Sequence, residues 1–206
     1  MDAATLRSLA SRHFNSTPPR LATRGDADLN PGTAADMSSG RDPVAAAVLV
    51  PVIDRPGGLT LLLTRRTDGL ATHAGQVAFP GGKIDPADAG PLAAALREAE
   101  EEIGLAARFA EPLGFLDRYQ TGTGYSIAPA VALIREGFTL ELNAREVADA
   151  FEVPLGFLLD PANHRHQSRE WRGKQREFYA MPYGGHYIWG ATAGMIRNLY
   201  EKLTQE

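Results

Sequence analysis

The stretch GGKIDPADAGPLAAALREAEEEIGL, Gly81 to Leu105, decides the fold of this chain. A turn rich in glycine and aspartate leads into an amphipathic helix, predicted from about Pro91 to Ile103 and ended by Gly104. Within about one and a half turns, the helix carries four glutamates, Glu98, Glu100, Glu101 and Glu102. Like charges at neighbouring helical positions repel each other by roughly 0.2–0.5 kcal/mol per pair, so this crowding needs an explanation.

A helical wheel divides these glutamates between two faces. Glu102 lies about 40° and Glu101 about 60° from Glu98, so these three share one face, whereas Glu100 points to the far side. The predicted buried stripe consists of Leu92, Ala95, Leu96, Ala99 and Ile103. Glu102 is therefore predicted to border the core, and three carboxylates converge at the edge of a buried surface.

Two interpretations of this acidic edge are open. Glutamate-rich helices are common, and the cluster can be a solvated face. Alternatively, a divalent cation removes the repulsion, since Mg²⁺ prefers carboxylate oxygens and engages substrate phosphates. The preceding FPGG allows close approach of backbone to a metal or phosphate. Arg97 is predicted to orient Glu98 or Asp88. Zinc is not expected, because the cluster has no His or Cys.

The composition of the chain limits its function. Of its 206 residues 44% are apolar, enough for a substantial core, and the net charge is −4. This balance disfavours partners such as nucleic acid or a charged membrane surface. The chain has no cysteine, which excludes thiolate chemistry and fits the cytoplasmic location that we expect. We expect neither a signal peptide nor a membrane-spanning segment.

The remaining pattern predicts a single mixed α/β unit. Residues 1–40 are predicted to form a short helix and an irregular lead-in of the same unit as the single domain at 41–206. The predicted strands are residues 44–53, 59–66, 75–79, 112–119, 126–134, 138–142, 176–183 and 186–189. The first two form a hairpin, and Pro80 to Gly82 form a turn. Residues 145–159 are partly strand and partly a helical turn, and 190–203 form an amphipathic helix.

The acidic helix resembles the signature of the Nudix hydrolases, G-x5-E-x7-R-E-U-x-E-E-x-G-U, in which U is a bulky aliphatic residue. REAEEEIGL, Arg97 to Leu105, matches the second half, although Ala99 is small for its position. The first half departs from the signature. Asp88 stands where the signature has Glu, and one extra residue separates it from Arg97.

These departures are similar to those of the coenzyme A pyrophosphatase subgroup, which adds the motif L-L-T-x-R-[SA]-x3-R-x3-G-x3-F-P-G-G. Here the corresponding stretch is LLTRRTDGLATHAGQVAFPGG, Leu62 to Gly82. Thr67 replaces the small residue, and Ala71 stands where the motif has an arginine, which removes one phosphate contact. TGTGY (121–125) and HYIWGATA (186–193) also resemble this subgroup.

The resemblance implies a Nudix-type α/β/α sandwich with a mixed β-sheet, a central acidic metal-binding helix and a C-terminal helix. It implies hydrolysis of coenzyme A or its thioesters to 3′,5′-ADP and (acyl-)4′-phosphopantetheine, with Mg²⁺ or Mn²⁺ as cofactor, and a homodimer. The metal ligands carried over are Glu98, Glu101, Glu102 and the Gly81 carbonyl, with Arg97 as an orienting residue. Glu146 is the candidate general base, although a surface acid fits the sequence as well, and Glu152 is the second choice.

The same resemblance gives candidate substrate-binding residues, Arg66, His73, Gln76 and Tyr125. Two of them have a structural alternative: Gln76 can support the metal loop, and Tyr125 can serve packing alone. Tyr187 and Trp189 are predicted to belong to the core.

Three functions remain open. The first is a coenzyme A pyrophosphatase. The second is a Nudix hydrolase of another nucleoside diphosphate derivative, such as ADP-ribose, a nucleotide sugar or a nucleoside triphosphate. The third is a Nudix-fold binding or regulatory module without catalysis, which the three intact box glutamates disfavour.

Overall fold

The computed structural model describes residues 1–31, 42–69, 72–171 and 173–205. The helices in these ranges are α1 (Ala3–His13), α2 (Pro91–Ile103), α3 (Leu155–Leu158) and α4 (Gly190–Leu203). The strands are β1 (Arg24–Gly25), β2 (Val44–Ile53), β3 (Thr60–Arg66), β4 (Val77–Ala78), β5 (Gly81–Lys83), β6 (Ala110–Phe115), β7 (Tyr119–Gln120), β8 (Tyr125–Ile134), β9 (Val147–Pro154), β10 (Arg165–Trp171), β11 (Lys174–Tyr183) and β12 (His186–Trp189).

Two long apolar strands form the centre of the molecule. β2 and β8 run parallel in an unbroken register from Val44 opposite Tyr125 to Ile53 opposite Ile134. The last eight residues of β2 are all buried. A continuous apolar run is what a strand covered on both faces requires, and the predicted strands at 44–53 and 126–134 are thereby confirmed.

The sheet around this pair is mixed and is covered on both faces. Its order is β1-β7-β8-β2-β3-β4, with β5 on β2, β6 on β8 and β9 on β3. Helix α2 packs on one face, where its alanines meet residues such as Leu49 and Leu62. The other face buries Leu61 and Leu63 with Met181 and Ile188 of the small sheet β10-β11-β12 and with Ile196 of α4. The predicted α/β/α sandwich is confirmed.

Helix α2 begins and ends where the sequence predicts. Pro91 occupies its first turn, where a missing N–H costs nothing. Gly104 ends the helix in the left-handed conformation, with φ 69°, and its N–H bonds to the carbonyls of Ala99 and Glu100.

Two predictions of secondary structure are wrong, and one long strand was missed. Residues 138–142 form no strand; they run as coil past the end of α2, where the Glu141 N–H bonds to the Ile103 carbonyl at 2.9 Å. Pro80 to Gly82 are not a turn, because Gly81 and Gly82 belong to β5 and pair with Val48 and Ala47. Strand β10 was not predicted, since RHQSREW is polar and has no apolar face.

The N-terminal segment packs against the rest of the protein. Leu6 of α1 is fully buried in the main core, and Arg7 pairs with Glu111 of β6 at 2.8 Å. Asp26 accepts hydrogen bonds from the Tyr119 hydroxyl at 2.8 Å and the Gly122 N–H at 2.7 Å. That residues 1–40 fold as one unit with 41–206 stays a prediction. None of the helices in the described ranges has both the length and the apolar character needed to span a bilayer.

Candidate active site

Helix α2 presents its glutamates at different depths. Glu102 is 4% exposed, Glu98 is half-buried, and Glu100 and Glu101 are exposed. The placement of Glu102 at the edge of the core is thus confirmed. The side of the helix that carries Glu98 and Glu102 faces β5 and the end of β3.

Glu102 is where three elements meet. Its Oε2 accepts a hydrogen bond from the Gly81 N–H of β5 at 3.2 Å, and its Oε1 lies 3.9 Å from the Arg66 guanidinium at the end of β3. Burial raises the pKa of Glu102 to about 7, against the opposing effects of Gly81 and Arg66, and repulsion from Glu98 and Glu146 adds to the rise. A carboxylate kept this dry is one that a bound cation would stabilise.

The two glycines of β5 are required by close packing. A Cβ at Gly82 would lie 2.5 Å from the Glu98 carboxylate, and one at Gly81 would lie 2.4 Å from the Ala47 carbonyl oxygen. Real side chains do not tolerate such distances, so only glycine lets β5 pass between β2 and the acidic face of α2. The role of the Gly81 carbonyl as a metal ligand stays a prediction.

Arg97 holds the carboxylates in place. Its guanidinium donates to both oxygens of Asp88 at 3.0 Å, to Glu98 Oε1 at 2.9 Å and to Glu101 Oε2 at 3.1 Å. It also donates to the Lys83 carbonyl at 3.2 Å. The hydrogen bonds from Arg97 lower the pKa of Asp88. The predicted orienting contacts of Arg97 with Glu98 and Asp88 are therefore both present, and the unusual Asp88 anchors the arginine.

Of the two candidate bases, Glu146 belongs to the segment that reaches the acidic helix, because the Asn143 N–H bonds to the Glu102 carbonyl at 2.9 Å. The charge of Glu146 contributes to the raised pKa of both Glu98 and Glu102. Asn143 Nδ2 donates to Glu146 Oε1 at 3.3 Å, and the Glu146 carbonyl accepts from the Thr67 N–H.

Glu152 lies within β9, and its carboxylate is hydrogen-bonded to other residues. It accepts two hydrogen bonds from Arg55, at 2.5 and 3.1 Å, and one from the Thr60 hydroxyl at 2.5 Å. The Arg55 hydrogen bonds lower its pKa. These contacts give Glu152 a structural role that connects β9 to β3 and the turn before it.

The predicted substrate-binding residues lie at different distances from the acids. Arg66 is beside Glu102, and its Nε is buried without a hydrogen-bond partner among the described residues. The Gln76 carbonyl accepts the Arg66 N–H at 3.0 Å, and the Gln76 side chain contacts His73 Nδ1 at 2.9 Å. His73 adopts φ 57°, a conformation uncommon outside glycine. Ala71 lies outside the described residues.

Tyr125 stands apart from this group. It begins β8 opposite Val44, and its backbone is bound to Thr121 on both its N–H and its carbonyl. A direct role of Tyr125 in substrate binding stays a prediction.

The donor groups at this site suit a hard divalent cation. Glu98, Glu101 and Glu102 offer only oxygen, which Mg²⁺ and Mn²⁺ prefer. Desolvation raises the pKa of Glu98 as well as that of Glu102, which is the electrostatic condition that a cation relieves. Within the described ranges, however, no group of three or more His, Asp or Glu side chains is arranged to hold a metal ion. Instead, Arg97 binds Glu98 and Glu101.

A family comparison identifies this arrangement. The NUDIX domain family matches residues 43–174, which include β2, β5, α2 and β9. The chain belongs to the Nudix hydrolase family. Members of this family act on pyrophosphate bonds and generally use divalent metal ions.

Individual relatives agree with this assignment. The protein designated "Uncharacterized Nudix hydrolase NudL" from Photorhabdus laumondii is 44% identical over 158 residues, covering 77% of this chain and 84% of the relative. The NudL protein of Yersinia enterocolitica is 42% identical over 158 residues, covering 77% of this chain and 80% of the relative.

Solved structures share the fold. RenU, a Nudix hydrolase from M. smegmatis, superposes with a TM-score of 0.55 at 22% identity, over 78% of this chain and 86% of RenU. DR0079 from Deinococcus radiodurans gives a TM-score of 0.50 at 17% identity, over 76% of this chain and 83% of that protein.

Three features of the site were not predicted from the sequence. They are the two-oxygen contact of Asp88 with Arg97, the buried and unpaired Nε of Arg66, and the support of Glu146 by Asn143. The spacing of Asp88 from Arg97 gave a partial signal, because an acid displaced from its signature position remained within reach of the arginine.

Proposed function

We propose that this Nudix hydrolase cleaves the diphosphate of coenzyme A or its thioesters, giving 3′,5′-ADP and (acyl-)4′-phosphopantetheine. The observation that carries the proposal is the meeting of two motifs at Glu102. Arg66 and Gly81, from the segment that resembles the coenzyme A subgroup, both contact this glutamate of the acidic helix.

The burial of Arg66 and its Nε, which is unpaired among the described residues, support a phosphate ligand at this position. Its guanidinium is only 26% exposed, and its Nε lacks a hydrogen-bond partner in the described part of the chain. A buried donor without an acceptor is costly, and a substrate phosphate supplies the acceptor with matching geometry. The cation would also offset the negative charge that the substrate brings to the glutamates.

In this proposal Glu98, Glu101 and Glu102 hold the divalent cation, together with the Gly81 carbonyl. When bound, such a cation neutralises diphosphate charge and lowers the pKa of an attacking water. Arg97 keeps Glu98 and Glu101 oriented, and Asp88 fixes Arg97 in turn. Positioning and electrostatics dominate this class of reaction, so no covalent intermediate with the protein is needed.

Glu146 is proposed as the general base. It is half-buried, and the Asn143 amide contacts only one of its two carboxylate oxygens in the described structure. The other oxygen is available to take a proton from water at phosphorus. The loop between β3 and β4 is connected to this residue, because the Thr67 N–H bonds to the Glu146 carbonyl at 3.0 Å.

A substrate panel with Mg²⁺ and Mn²⁺ tests the proposal. It comprises coenzyme A, acetyl-coenzyme A, ADP-ribose, NADH, diadenosine polyphosphates and deoxynucleoside triphosphates. We expect the largest kcat/KM for coenzyme A or its thioester. Faster turnover of ADP-ribose would indicate that the substrate is another nucleoside diphosphate derivative. Tight binding without turnover of any compound would indicate a regulatory module.

Assembly and location are separate proposals. We propose a homodimer, which sedimentation analysis of the purified protein checks directly. The cytoplasmic location expected from the cysteine-free composition is tested by fractionation of cells that express the full chain.

A further inference from the structure

A second concave surface lies next to the candidate active site. It is a groove of about 410 Å³ between the end of β3, the residues before β4, and strands β10 and β12. Its lining includes Arg65, Gln76, Arg169, His186, Tyr187 and Trp189. A volume of this size matches small-molecule sites, which span about 300–1,000 Å³.

The groove is joined to the acidic site by two consecutive arginines. Side chains alternate between the faces of a strand, so Arg66 reaches Glu102 beside α2 whereas Arg65 lines the groove. Gln76 also belongs to both, since its carbonyl accepts the Arg66 N–H while the residue lines the groove. A ligand with a phosphate at Arg66 can therefore extend around the end of β3 into the groove.

The walls of the groove carry cations that are weakly paired. The Arg65 guanidinium is 3.8 Å from Asp68, whose side chain is 86% exposed. Arg169 is exposed, and no acidic partner for it exists within the described ranges. A second acid, Asp149 of β9, lies directly opposite Arg65 in the sheet and is 3.7 Å from His186 Nε2. The two guanidiniums face a common space and come from different sheets.

Aromatic rings stand beside these cations. Tyr187 and Trp189 project from the same face of β12, with ring centroids 6.3 Å apart. The ring of Phe178 packs edge-on against Trp189, with 5.2 Å between the ring centroids. Tyr187 is 41% exposed, and its hydroxyl donates a hydrogen bond to the Gln167 side chain. The expectation that both residues belong to the core is wrong, because Tyr187 is exposed and Trp189 is half-buried at the groove. Aromatic rings that line a groove next to arginines suit a nucleobase that carries phosphate nearby.

Building on the proposed function, we propose that this groove binds the adenosine 3′-phosphate end of coenzyme A. The adenine lies against Tyr187 and Trp189, and the 3′-phosphate lies between Arg65 and Arg169. The diphosphate then reaches Arg66 and the glutamates around the end of β3. The groove would thus determine whether the enzyme prefers coenzyme A to its 3′-dephosphorylated form.

Replacement of Arg169 tests the phosphate contact. Arg169→Gln is expected to raise KM for coenzyme A about tenfold, with far less change in KM for dephospho-coenzyme A and with kcat retained. Arg165→Gln is the matched control, because Arg165 is an exposed arginine of the same strand outside the groove lining. Equal effects of Arg169→Gln on both substrates would overturn the assignment of the 3′-phosphate.

Replacement of Tyr187 tests the base contact. Tyr187→Leu keeps an apolar side chain but removes the ring, and it should raise KM for coenzyme A and dephospho-coenzyme A alike, by about tenfold. Unchanged KM for both substrates would overturn the stacking of adenine in the groove.

A binding measurement separates this inference from the proposed function. The chain has two tryptophans, so Trp171→Phe leaves Trp189 as the only fluorophore of its kind. Titration with 3′,5′-ADP should quench Trp189 in this background, and the added Arg169→Gln change should weaken the binding about tenfold.

Saturable quenching that is weakened by Arg169→Gln would support the groove as the binding site, even if coenzyme A is not hydrolysed. In that case only the proposed function fails. If there is no quenching, or if neither Arg169→Gln nor Tyr187→Leu alters it, the groove is not the binding site, even if coenzyme A is hydrolysed.

Discussion

At the residue scale, the environment of Glu102 distinguishes it from its neighbours. Its carboxylate is buried, and this burial raises the pKa of Glu102 to about 7. The carboxylate accepts a hydrogen bond from the Gly81 N–H and lies 3.9 Å from the Arg66 guanidinium. Glu100, only two residues earlier, is exposed on the opposite side of the helix. The two glutamates therefore make a matched pair for mutation.

Glu102→Gln is expected to lower kcat/KM at least about 100-fold, because the amide removes one of the charged groups proposed to hold the cation. Glu100→Gln is expected to stay within about threefold of the parent, since surface changes away from such features have small effects. Steady-state kinetics with Mg²⁺ measure both. Full Mg²⁺-dependent activity of Glu102→Gln would contradict the assignment of the metal ligands.

Asp88 illustrates how a departure from a signature acquires a structural meaning. Its side chain is only 7% exposed and receives two hydrogen bonds from Arg97. Asp85, whose carboxylate is 3.9 Å from Arg97 and whose side chain is 63% exposed, is a nearby control.

Asp88→Asn should lower kcat about 10–100-fold, as losses of residues that support metal ligands commonly do, whereas Asp85→Asn should have a much smaller effect. The apparent affinity for Mg²⁺, measured from the dependence of rate on metal concentration, should weaken in Asp88→Asn. An unchanged metal dependence would show that Asp88 does not act through Arg97.

At the element scale, two glutamates at and just before β9 have different surroundings. Glu146 precedes the strand beside the acidic cluster, and Glu152 lies within the strand, paired with Arg55 and Thr60. Glu146→Gln is expected to lower kcat about 10²–10⁴-fold. KM and the thermal midpoint should change little, which kinetics and calorimetry measure. A kcat close to that of the parent would exclude Glu146 as the base.

Glu152→Gln serves as the control for this prediction. It should keep kcat but cost about 1 kcal/mol of unfolding free energy at pH 7. Because Arg55 lowers the pKa of Glu152 from 4.5, its contribution is present above that pH and is lost as the pH falls through the lowered value. Denaturant unfolding at pH 7 and at about pH 3 should therefore show a smaller difference at the lower pH.

Elements with a strong hydrophobic pattern could be predicted from the sequence. The apolar runs of β2 and β8, the amphipathic pattern of α2 and α4, and Gly104 at the end of α2 all correspond to the structure. β10 could not be predicted, because an exposed polar strand is defined by its pairing with β11. β5 was missed because its two glycines are typical of a turn, whereas close packing against Ala47 and Glu98 requires them.

Some features of the candidate site could likewise be predicted from the sequence, and others could not. The shared face of Glu98, Glu101 and Glu102 follows from helical geometry alone. The proximity of Arg66 and Glu146 to these glutamates depends on how β3 and β9 are placed, which no local spacing reveals. The sequence alone does not separate Glu146 from Glu152 as candidate bases, since both are acids of one segment. Their hydrogen-bond partners in the structure separate them.

At the scale of the whole molecule, the N-terminal segment is connected to the domain at several points. Leu6 is completely buried, and Asp117 accepts hydrogen bonds from Asn15 at 3.2 Å and from Asn198 at 3.0 Å. Lys202 of α4 lies 2.9 Å from the same carboxylate. Through Asp117, these contacts connect the segment after α1 to the C-terminal helix.

Leu6→Ala is therefore expected to reduce the unfolding free energy by about 2–5 kcal/mol while preserving a single cooperative transition. Leu21→Ala, at a side chain 78% exposed, is the control and should change it by less than about 0.5 kcal/mol. Urea unfolding followed by two probes measures both. Two separate transitions, or no loss from Leu6→Ala, would contradict one folding unit for residues 1–40 and 41–206.

The proposed reaction is tested most directly by identifying the products of coenzyme A by mass spectrometry, with Mg²⁺, in parallel with Glu102→Gln. The predicted result is equal amounts of 3′,5′-ADP and 4′-phosphopantetheine from the parent enzyme, and almost none from the variant. Intact coenzyme A in a preparation that cleaves ADP-ribose, or release of phosphate with dephospho-coenzyme A as the other product, would contradict the proposal.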